Sequence, residues 1–497
     1  MRISRFSFLS MTWKIFIKKG INILRILKFA LRLGRCGQYL KFYRCLDDAV
    51  LKFKTRDASG FAVLGFPYLR ANRFLVGVAK KANTHQQKKL WIELMRDLDV
   101  ELRKREIKNL PDEAISYLSK KLGQPVNKNK LQEFLFSYSQ ELLESDLDQT
   151  DFFTAVMAAV IDPGEYSFLM RLLGFYPAAY IAVSRATDKA YKEFRTWHEK
   201  TLSDHEQRGQ VKTFGPVTEN KSSFEDISRI YKTKKLNELG MPYFGNDEMR
   251  NIAFGLAPIL SIDIVDDYDK FGEVVWKDGR VNINTANPVV YYYFSYGAIK
   301  QEPVLQVNYA FWYPGRLGPN APWMEKGALD GMTLRITLDN EGLPIMADVM
   351  NNCGCYYFYV PRKEAVKKII KKPFQLEPFV PAWLPDGFPK KKIALRINTG
   401  WHQVQHIDAT DVEEHEQGYQ LLPYEVLEQL PKETNKSESV FNPAGIMKDS
   451  QRIEPYIFFS MGIPKVGFMR QRGNHAIKMV GRAHFTDYDS YDRDFIF

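Results

Sequence analysis

Hydrophobic and polar residues alternate with two different periods along this chain. Between residues 47 and 205 the apolar positions recur every three or four residues, as they do on one face of a helix. The clearest segment begins at Pro111 and stops at Gly123, which are residue types typical of the first turn and of the end of a helix. The pattern predicts a mainly helical domain over residues 47–215.

The period becomes two in the second half of the chain. Residues 332–338 and 343–349 alternate between apolar and polar types on either side of a turn at 339–342, which predicts a β-hairpin. Other segments with this alternation, or with runs of β-branched and aromatic residues, predict strands at 289–296, 305–313, 356–360 and 392–398. An antiparallel sheet with one apolar face accounts for this pattern.

The two patterns together predict an α+β fold, with a helical N-terminal half followed by a largely antiparallel β-sheet C-terminal half. The polar stretch 198–237 looks like a solvated connector or an exposed charged helix, and it marks the expected boundary. We therefore predict four segments along the chain, which are a basic segment at 1–46, a helical domain at 47–215, a connector at 216–280 and a β-rich domain at 281–497.

One apolar stretch within the helical half allows two interpretations. Residues 166–184 contain a single charged side chain, Arg171, but Gly174 and Pro177 interrupt the stretch. We expect a buried helical hairpin, and the alternative is a re-entrant membrane segment.

Charge is concentrated at the N-terminus. The first 46 residues hold eleven Lys or Arg and no Asp or Glu, which leaves 59 basic and 59 acidic residues in the rest of the chain. The neutral remainder gives no reason to expect a nucleic-acid partner. Within residues 1–46 cations interrupt every apolar run, which argues against a spanning helix and against a cleaved secretory signal.

The N-terminal pattern fits a basic amphipathic helix on an anionic membrane surface, so we expect a membrane-associated protein. The cell envelope and the cytoplasmic face of a membrane are both open as its location. The residues expected to contact the membrane are Trp13, Lys14, Lys18, Lys19, Arg25 and Lys28. The alternatives are an organellar presequence and a helix docked on the protein's own body.

The cysteines supply the first candidate chemistry. Cys353 and Cys355 are separated only by Gly354, so on a strand both sulfurs would point to one face and could bind a soft metal such as zinc. Two further ligands are needed, and His402 and His406 could provide them only if residues 401–407 are helical. The sequence does not decide between a helix and a strand there.

A nucleophilic cysteine is the second interpretation of the same residues. His402, His406 or His484 would then act as its base. The third interpretation is that the cysteines are small buried side chains and the histidines are hydrogen-bonded at the end of a sheet.

Carboxylates and aromatic residues suggest a carbohydrate site as a further alternative. Glu325, Asp330 and Asp348 could include a catalytic pair, and the aromatic residues of 312–323 could form a platform beside them. The residues predicted to line a binding surface in the β-rich domain are Trp312, Tyr313 and Arg335.

Several short stretches resemble signature stretches of an uncharacterised bacterial protein family. They are Gly65-Phe66-Pro67-Tyr68-Leu69-Arg70, Arg73-Phe74-Leu75, Leu173-Gly174-Phe175-Tyr176-Pro177, Asn308-Tyr309, Trp312-Tyr313-Pro314, Leu329-Asp330-Gly331 and Cys353-Gly354-Cys355-Tyr356. The resemblance implies a location in the cell envelope and no particular activity. The family has histidines beside the cysteines, whereas this chain has Asn352 and Tyr357 at those positions. This chain also lacks the small residues that a lipidation site requires before Cys36 and Cys45.

These observations lead to two functional hypotheses. The first is a membrane-surface or envelope-associated protein that uses its β-rich domain for binding, with no catalysis assigned. The second is a metal- or cysteine-dependent hydrolase centred on Cys353, Cys355 and the C-terminal histidines, with zinc as the candidate cofactor.

Overall fold

The computed structural model describes residues 37–217, 223–372, 375–411, 415–432 and 436–497. The chain forms two compact units, of which the first runs to Arg56 and resumes over Gly60–Pro163, and the second comprises Asp57–Ser59 and Gly164–Phe497. The six predicted membrane-contact residues, from Trp13 to Lys28, lie outside the described residues.

The first unit consists of helices around one short hairpin. Its elements are α1 (Gly37–Lys52), β1 (Phe61–Val63), β2 (Phe66–Ala71), α2 (Arg73–Val78), α3 (His85–Lys108), α4 (Asp112–Leu122), α5 (Lys128–Leu147) and α6 (Phe152–Ala159). The predicted helix at 111–123 is confirmed as α4, because Pro111 precedes its first turn and Gly123 ends it with a φ of 76° that a glycine adopts without strain.

A buried ion-pair network joins α3 to β2 inside the first unit. Arg70 forms a bidentate salt bridge with Glu106, in which Nη1 and Nη2 donate to the two carboxylate oxygens at 2.8 and 2.9 Å. Arg103 Nε donates to Asp99 Oδ1 at 2.9 Å. Burial raises the pKa of Asp99 to about 6, although both arginines oppose that shift. Each buried charge therefore has a partner, as burial requires.

The second unit holds both helices and strands. Its helices are α7 (Phe168–Leu173), α8 (Tyr176–His198), α9 (Phe224–Lys232), α10 (Asn246–Gly255), α11 (Glu454–Ile457) and α12 (Ser490–Asp494). Its longer strands are β3 (Gln210–Pro216), β6 (Ile259–Ile264), β7 (Glu273–Lys277), β8 (Arg280–Asn284), β9 (Val289–Ile299), β10 (Glu302–Arg316), β11 (Gly327–Leu338), β12 (Pro344–Asn351), β13 (Phe358–Pro361), β15 (Lys392–Ile397), β16 (Val404–Thr410) and β17 (Gln417–Pro423). Two-residue strands are β4 (Lys235–Leu236), β5 (Pro242–Tyr243), β14 (Lys368–Ile369), β18 (Leu430–Pro431), β19 (Ser437–Glu438) and β20 (Phe495–Ile496).

Ten strands form one mixed sheet in the order β13-β12-β11-β10-β9-β17-β3-β6-β15-β16. The predicted hairpin is confirmed, since β11 and β12 pair antiparallel with Leu334 opposite Val349. The expectation of a largely antiparallel sheet needs correction because β17 pairs parallel with both β9 and β3, and β15 pairs parallel with β6. These pairings join strands that are far apart in sequence, so local alternation does not reveal their direction.

The α+β character of the fold is confirmed at the level of its elements, but the helices are not confined to the N-terminal half. Helices α9 and α10 lie within residues 216–280, where a connector was expected, and Ile227 and Ile252 pack into the same core as the sheet. Strand β3 arises from the polar stretch 198–237 and lies inside the sheet between β17 and β6.

Both faces of the central strands are covered. Side chains such as Leu305 and Tyr309 of β10 enter the main core, while Trp312 enters a second core on the opposite face. Gln306, whose polar type predicted a solvated face, is 2% exposed and its amide donates to Tyr491 Oη at 3.3 Å. The expectation of one apolar face is therefore corrected: the C-terminal segment covers the polar face with hydrogen-bonding partners.

The apolar stretch 166–184 is not buried as expected. No residue of α7 is buried, and α8 buries only Phe194. In the part of the chain that the structure describes, every helix is too short or too polar to cross a membrane.

Candidate functional site

Arg316 is a buried arginine at the end of β10, where the main sheet meets the segment that leads into β11. Its guanidinium donates to both oxygens of Asp330, at 3.0 and 2.9 Å, and to Glu325 Oε2 at 2.6 Å. Arg316 is 3% exposed and Asp330 is fully buried. Burial by itself would raise the pKa of Asp330, but the guanidinium and the hydrogen bond from His402 lower it well below its usual value.

His402 extends this network across the turn between β15 and β16. Its Nδ1 lies 2.8 Å from Asp330 Oδ2, and its Nε2 lies 3.3 Å from Asp269 Oδ1. The ring also stacks on Tyr313, with 4.0 Å between ring centroids. Burial alone would lower the pKa of His402, but the two carboxylates raise it above its ordinary value. Nδ1 is hydrogen-bonded to one carboxylate and Nε2 lies within ion-pair distance of a second, which favours a charged, structural imidazolium over a general base.

Asp269 is itself held by the turn that precedes His402. Thr399 Oγ1 donates to one of its oxygens at 2.7 Å and the backbone N–H of Gly400 donates to the other at 2.6 Å. Burial alone would raise the pKa of Asp269, but these hydrogen bonds and the one from His402 lower it. A turn at residues 399–401 precedes His402, which adopts a φ of 55°, and the strand β16 begins only at Val404.

Two thiols lie beside this network, in the turn after β12. The backbone N–H of Cys355 donates to Cys353 Sγ at 3.4 Å. Gly354, between them, has a φ of 93°, and a Cβ at this position would lie 2.3 Å from the carbonyl oxygen of Ala476. Only glycine therefore fits the turn that brings both sulfurs together.

The two thiols have opposite shifts in acidity. A hydrogen bond from the Cys355 thiol lowers the pKa of Cys353, and burial opposes this while the positive charge of Arg316 adds to it. The pKa of Cys355 is raised well above its usual value, first by that same hydrogen bond and then by burial. The hydrogen bond thus makes Cys353 the more acidic thiol of the pair, with Cys355 as its donor.

A cavity of about 220 Å³ opens beside the sulfurs, and most of its lining is apolar. Polar lining includes Cys353, Cys355, Glu325, Glu454, Glu377 and Lys478, and apolar lining includes Val183, Ala186, Tyr191, Phe379, Phe458 and Val466. Glu325 is fixed from two sides, since it accepts a hydrogen bond from Tyr356 and one from Trp401 Nε1 at 3.1 Å.

Glu454, at the start of α11, is the second carboxylate of the cavity. Burial raises its pKa to about 8, and the negative charge of Cys353 adds to the shift. The side chain is 4% exposed and packs against Gly467. A carboxyl group with this pKa keeps its proton at neutral pH, and it lines the same cavity as Cys353.

The other histidine candidates have partners elsewhere. His406 lies on β16 with its ring centroid 5.7 Å from that of His205, and burial lowers the pKa of both. His484 Nε2 accepts from the backbone N–H of Glu165 at 3.1 Å, and its Nδ1 lies 3.3 Å from Asp487 Oδ1. The structure gives each of these histidines a partner other than a cysteine.

The predicted zinc ligands do not form one set. His402 follows a turn and His406 is on a strand, so the helical spacing that would bring them together is absent from residues 401–407. Among the described residues, no group of three or more His, Cys, Asp or Glu side chains is placed to hold a metal ion.

The predicted binding residues are interior. Trp312 and Tyr313 are fully buried, and Arg335 pairs with Asp348 at 3.0 Å beneath the C-terminal segment. Asp330 and Asp348 pair with different arginines, so the three carboxylates of the carbohydrate alternative are divided between two ion pairs.

Sequence reasoning did not single out Arg316 or Glu454. Arg316 ends a strand whose preceding seven residues are apolar or aromatic, and a charge in that position is a signal of a buried partner. Glu454 stands in a short irregular segment without any periodic pattern, so only the tertiary structure reveals it.

Comparison with known proteins gives no relative for this arrangement. No family model matches the chain, and neither a curated protein nor a solved structure matches it. The resemblance to an uncharacterised bacterial family accordingly stays a prediction, and function has to be argued from the site itself.

Proposed function

We propose that the second unit is a cysteine-dependent hydrolase or acyltransferase, with Cys353 as its nucleophile. The observation that carries the proposal is a thiol of lowered pKa on the wall of an apolar cavity that also contains a protonated carboxyl group, Glu454. Reactive cysteines have neighbours that lower the pKa of the thiol, as the Cys355 hydrogen bond and the Arg316 charge do here, whereas structural cysteines do not need them.

Each residue around Cys353 has a separate role in favouring its thiolate form. Arg316 supplies the positive charge that favours the thiolate, and its position is fixed by Asp330, which is fixed in turn by His402. Cys355 supplies two donors to the thiolate, its own S–H and its backbone N–H. Because none of these groups needs to take up the proton, the site does not require a histidine base.

The chemistry that fits is acyl transfer. The Cys353 sulfur would attack the carbonyl carbon of an ester or thioester, so that a carbon–sulfur bond forms and the bond to the leaving group breaks. Glu454 would give its proton to the leaving alkoxide or thiolate. Water, or another acceptor, would then attack the Cys353 thioester and return a proton to Glu454, which restores the starting state.

The cavity indicates the substrate class. Its apolar lining and its volume of about 220 Å³ suit a short acyl group or one end of a longer chain. A binding domain without catalysis, the first hypothesis from the sequence, would use the same cavity and leave Cys353 unmodified.

The test is to incubate the full chain with p-nitrophenyl butyrate and to locate adducts by mass spectrometry. We expect a rapid release of p-nitrophenol and one butyryl group on Cys353, which Cys353→Ala abolishes. Cys45→Ala is the matched control, because Cys45 is a buried thiol of the first unit. Equal acylation of Cys45 and Cys353, or no acylation at all, would overturn the proposal.

Membrane association through residues 1–46 is the location that we propose alongside this activity. It is supported by the absence of acidic residues among eleven cations, and such a polybasic segment is attracted to anionic lipid by about 1 kcal/mol per Lys or Arg. Sedimentation of the chain with anionic vesicles should weaken as salt is added.

A further inference from the structure

We infer that the second unit has its own membrane-binding surface, formed by α7, the turn into α8 and the segment around α11, and that this surface inserts into an anionic lipid interface. It is called the apolar surface below. Its members are Phe168, Leu169, Leu172, Leu173, Phe175 and Tyr456, each of them more than 60% exposed. Exposed apolar patches of this kind mark protein or membrane contacts.

The apolar surface is built rigidly and does not depend on a mobile loop. The backbone N–H of Ser167 donates to the carbonyl of Gly462 at 2.6 Å, and Arg171 Nε donates to the carbonyl of Met461 at 2.8 Å. At Gly174 a Cβ would lie 2.5 Å from Ser460 Cα, so the chain can pass this close only without a side chain. These contacts hold α7 with its leucines and phenylalanines directed to solvent.

Charge decides which occupant fits the apolar surface. Arg482 and Lys465 are exposed cations beside the apolar surface, because Arg171 of α7 donates to the carbonyl of Gly481 at 2.7 Å and packs against Gly462. Anionic lipid headgroups complement these cations. A second copy of the surface would oppose them with its own cations, and residues 1–36 carry basic but no acidic side chains, so neither is complementary.

The position of the apolar surface connects it with the candidate site. Helix α8 and residue Phe458, which adjoin the surface, also line the cavity that contains Cys353. The substrate assignment, unlike the rest of the inference, rests on the proposed acyl chemistry. On that basis the substrate is an acyl chain carried by a membrane lipid.

Hydrogen–deuterium exchange of the full chain tests the inference. We expect vesicles of phosphatidylcholine and phosphatidylglycerol in equal amounts to slow exchange at 166–184 and 453–461, and pure phosphatidylcholine to do so much less. The double variant Leu169→Glu with Leu172→Glu should lose this protection. Leu236→Glu is the matched control, because Leu236 is 56% exposed on β4, outside the apolar surface.

Two results would overturn the inference. One is a chain that sediments with anionic vesicles while 166–184 exchanges as it does in buffer, which would assign binding to residues 1–46 alone. The other is protection that appears without vesicles and grows with protein concentration, which would assign the surface to a second copy. Neither result bears on acylation of Cys353 by a soluble ester, so failure here is distinct from failure of the proposed function.

Discussion

Two buried arginine–aspartate pairs on the same sheet have different surroundings. Arg335 on β11 lies directly opposite Asp348 on β12, and the aromatic ring of Phe485 covers its guanidinium at 3.8 Å. Arg316 at the end of β10 pairs as closely with Asp330, but a thiol and a cavity lie beside it. The pair itself therefore does not mark a functional site. Arg316 differs from Arg335 in having a thiol, Cys353, whose pKa its charge lowers, and the proposed function is based on that thiol.

The C-terminal segment also forms hydrogen bonds with both members of the Arg335–Asp348 pair. Arg335 Nη1 donates to the carbonyl of Phe485 at 2.5 Å, and Tyr491 Oη donates to Asp348 Oδ2 at 2.5 Å. Both charges therefore have partners in that segment as well as in each other. At Arg316 the corresponding donor goes to Glu325, which lines the cavity.

The largest expected loss of stability is the one that follows when the Arg335–Asp348 pair is broken. Asp348→Asn would leave Arg335 buried and charged without a counter-ion, so we expect the free energy of unfolding to fall by about 3–5 kcal/mol in urea titrations. Acylation of Cys353 in the folded protein should not change. Asp339→Asn is the control, since Asp339 pairs with the half-exposed Arg362, and a loss of less than about 1 kcal/mol is expected there. Equal losses in the two variants would contradict the distinction.

The second effect concerns Glu454 and depends on pH. Its pKa of about 8 in the folded state exceeds the ordinary 4.5, so between these values the folded state binds more protons than the unfolded state. The stability that this group contributes is complete below pH 4.5 and is lost as the pH rises through 8. Glu454→Gln, which cannot ionise, should match the wild type at pH 4 and exceed it by about 4–5 kcal/mol at pH 9.

The measurement is denaturant unfolding of both proteins across this pH range. Glu364→Gln, at an exposed position of the same unit, should follow the wild type throughout. Parallel pH profiles for Glu454→Gln and the wild type would show that Glu454 is solvated.

The smallest effect sharpens the role of Arg316. Arg316→Gln removes the nearby positive charge, so the pKa of Cys353 should rise and its alkylation by iodoacetamide at pH 7 should slow by about tenfold. Arg316→Lys keeps the charge and should recover most of the rate. The readout is the pH dependence of alkylation in the native protein, which a purely structural role would leave in place. A pH profile unchanged in Arg316→Gln would remove Arg316 from the site.

Local sequence was sufficient for elements that depend on near neighbours. Helix α4 follows from Pro111, Gly123 and the apolar spacing between them, and the β11–β12 hairpin follows from strict alternation around a short turn. The cysteine pair was likewise visible from the spacing of Cys353 and Cys355. In each case the stabilising contacts lie within a few residues, so the pattern contains the information.

Only the tertiary structure decided what those elements face. The parallel pairing of β17, the covered polar face of β10 and the exposure of α7 all depend on segments more than a hundred residues away. The reactive surroundings of Cys353 arise in the same way, from Arg316 on another strand and Glu454 on a late helix. The sequence by itself determined the residue types and the local elements. The fold determined burial and partners, because acidity and solvent exposure depend on distances through space and not along the chain.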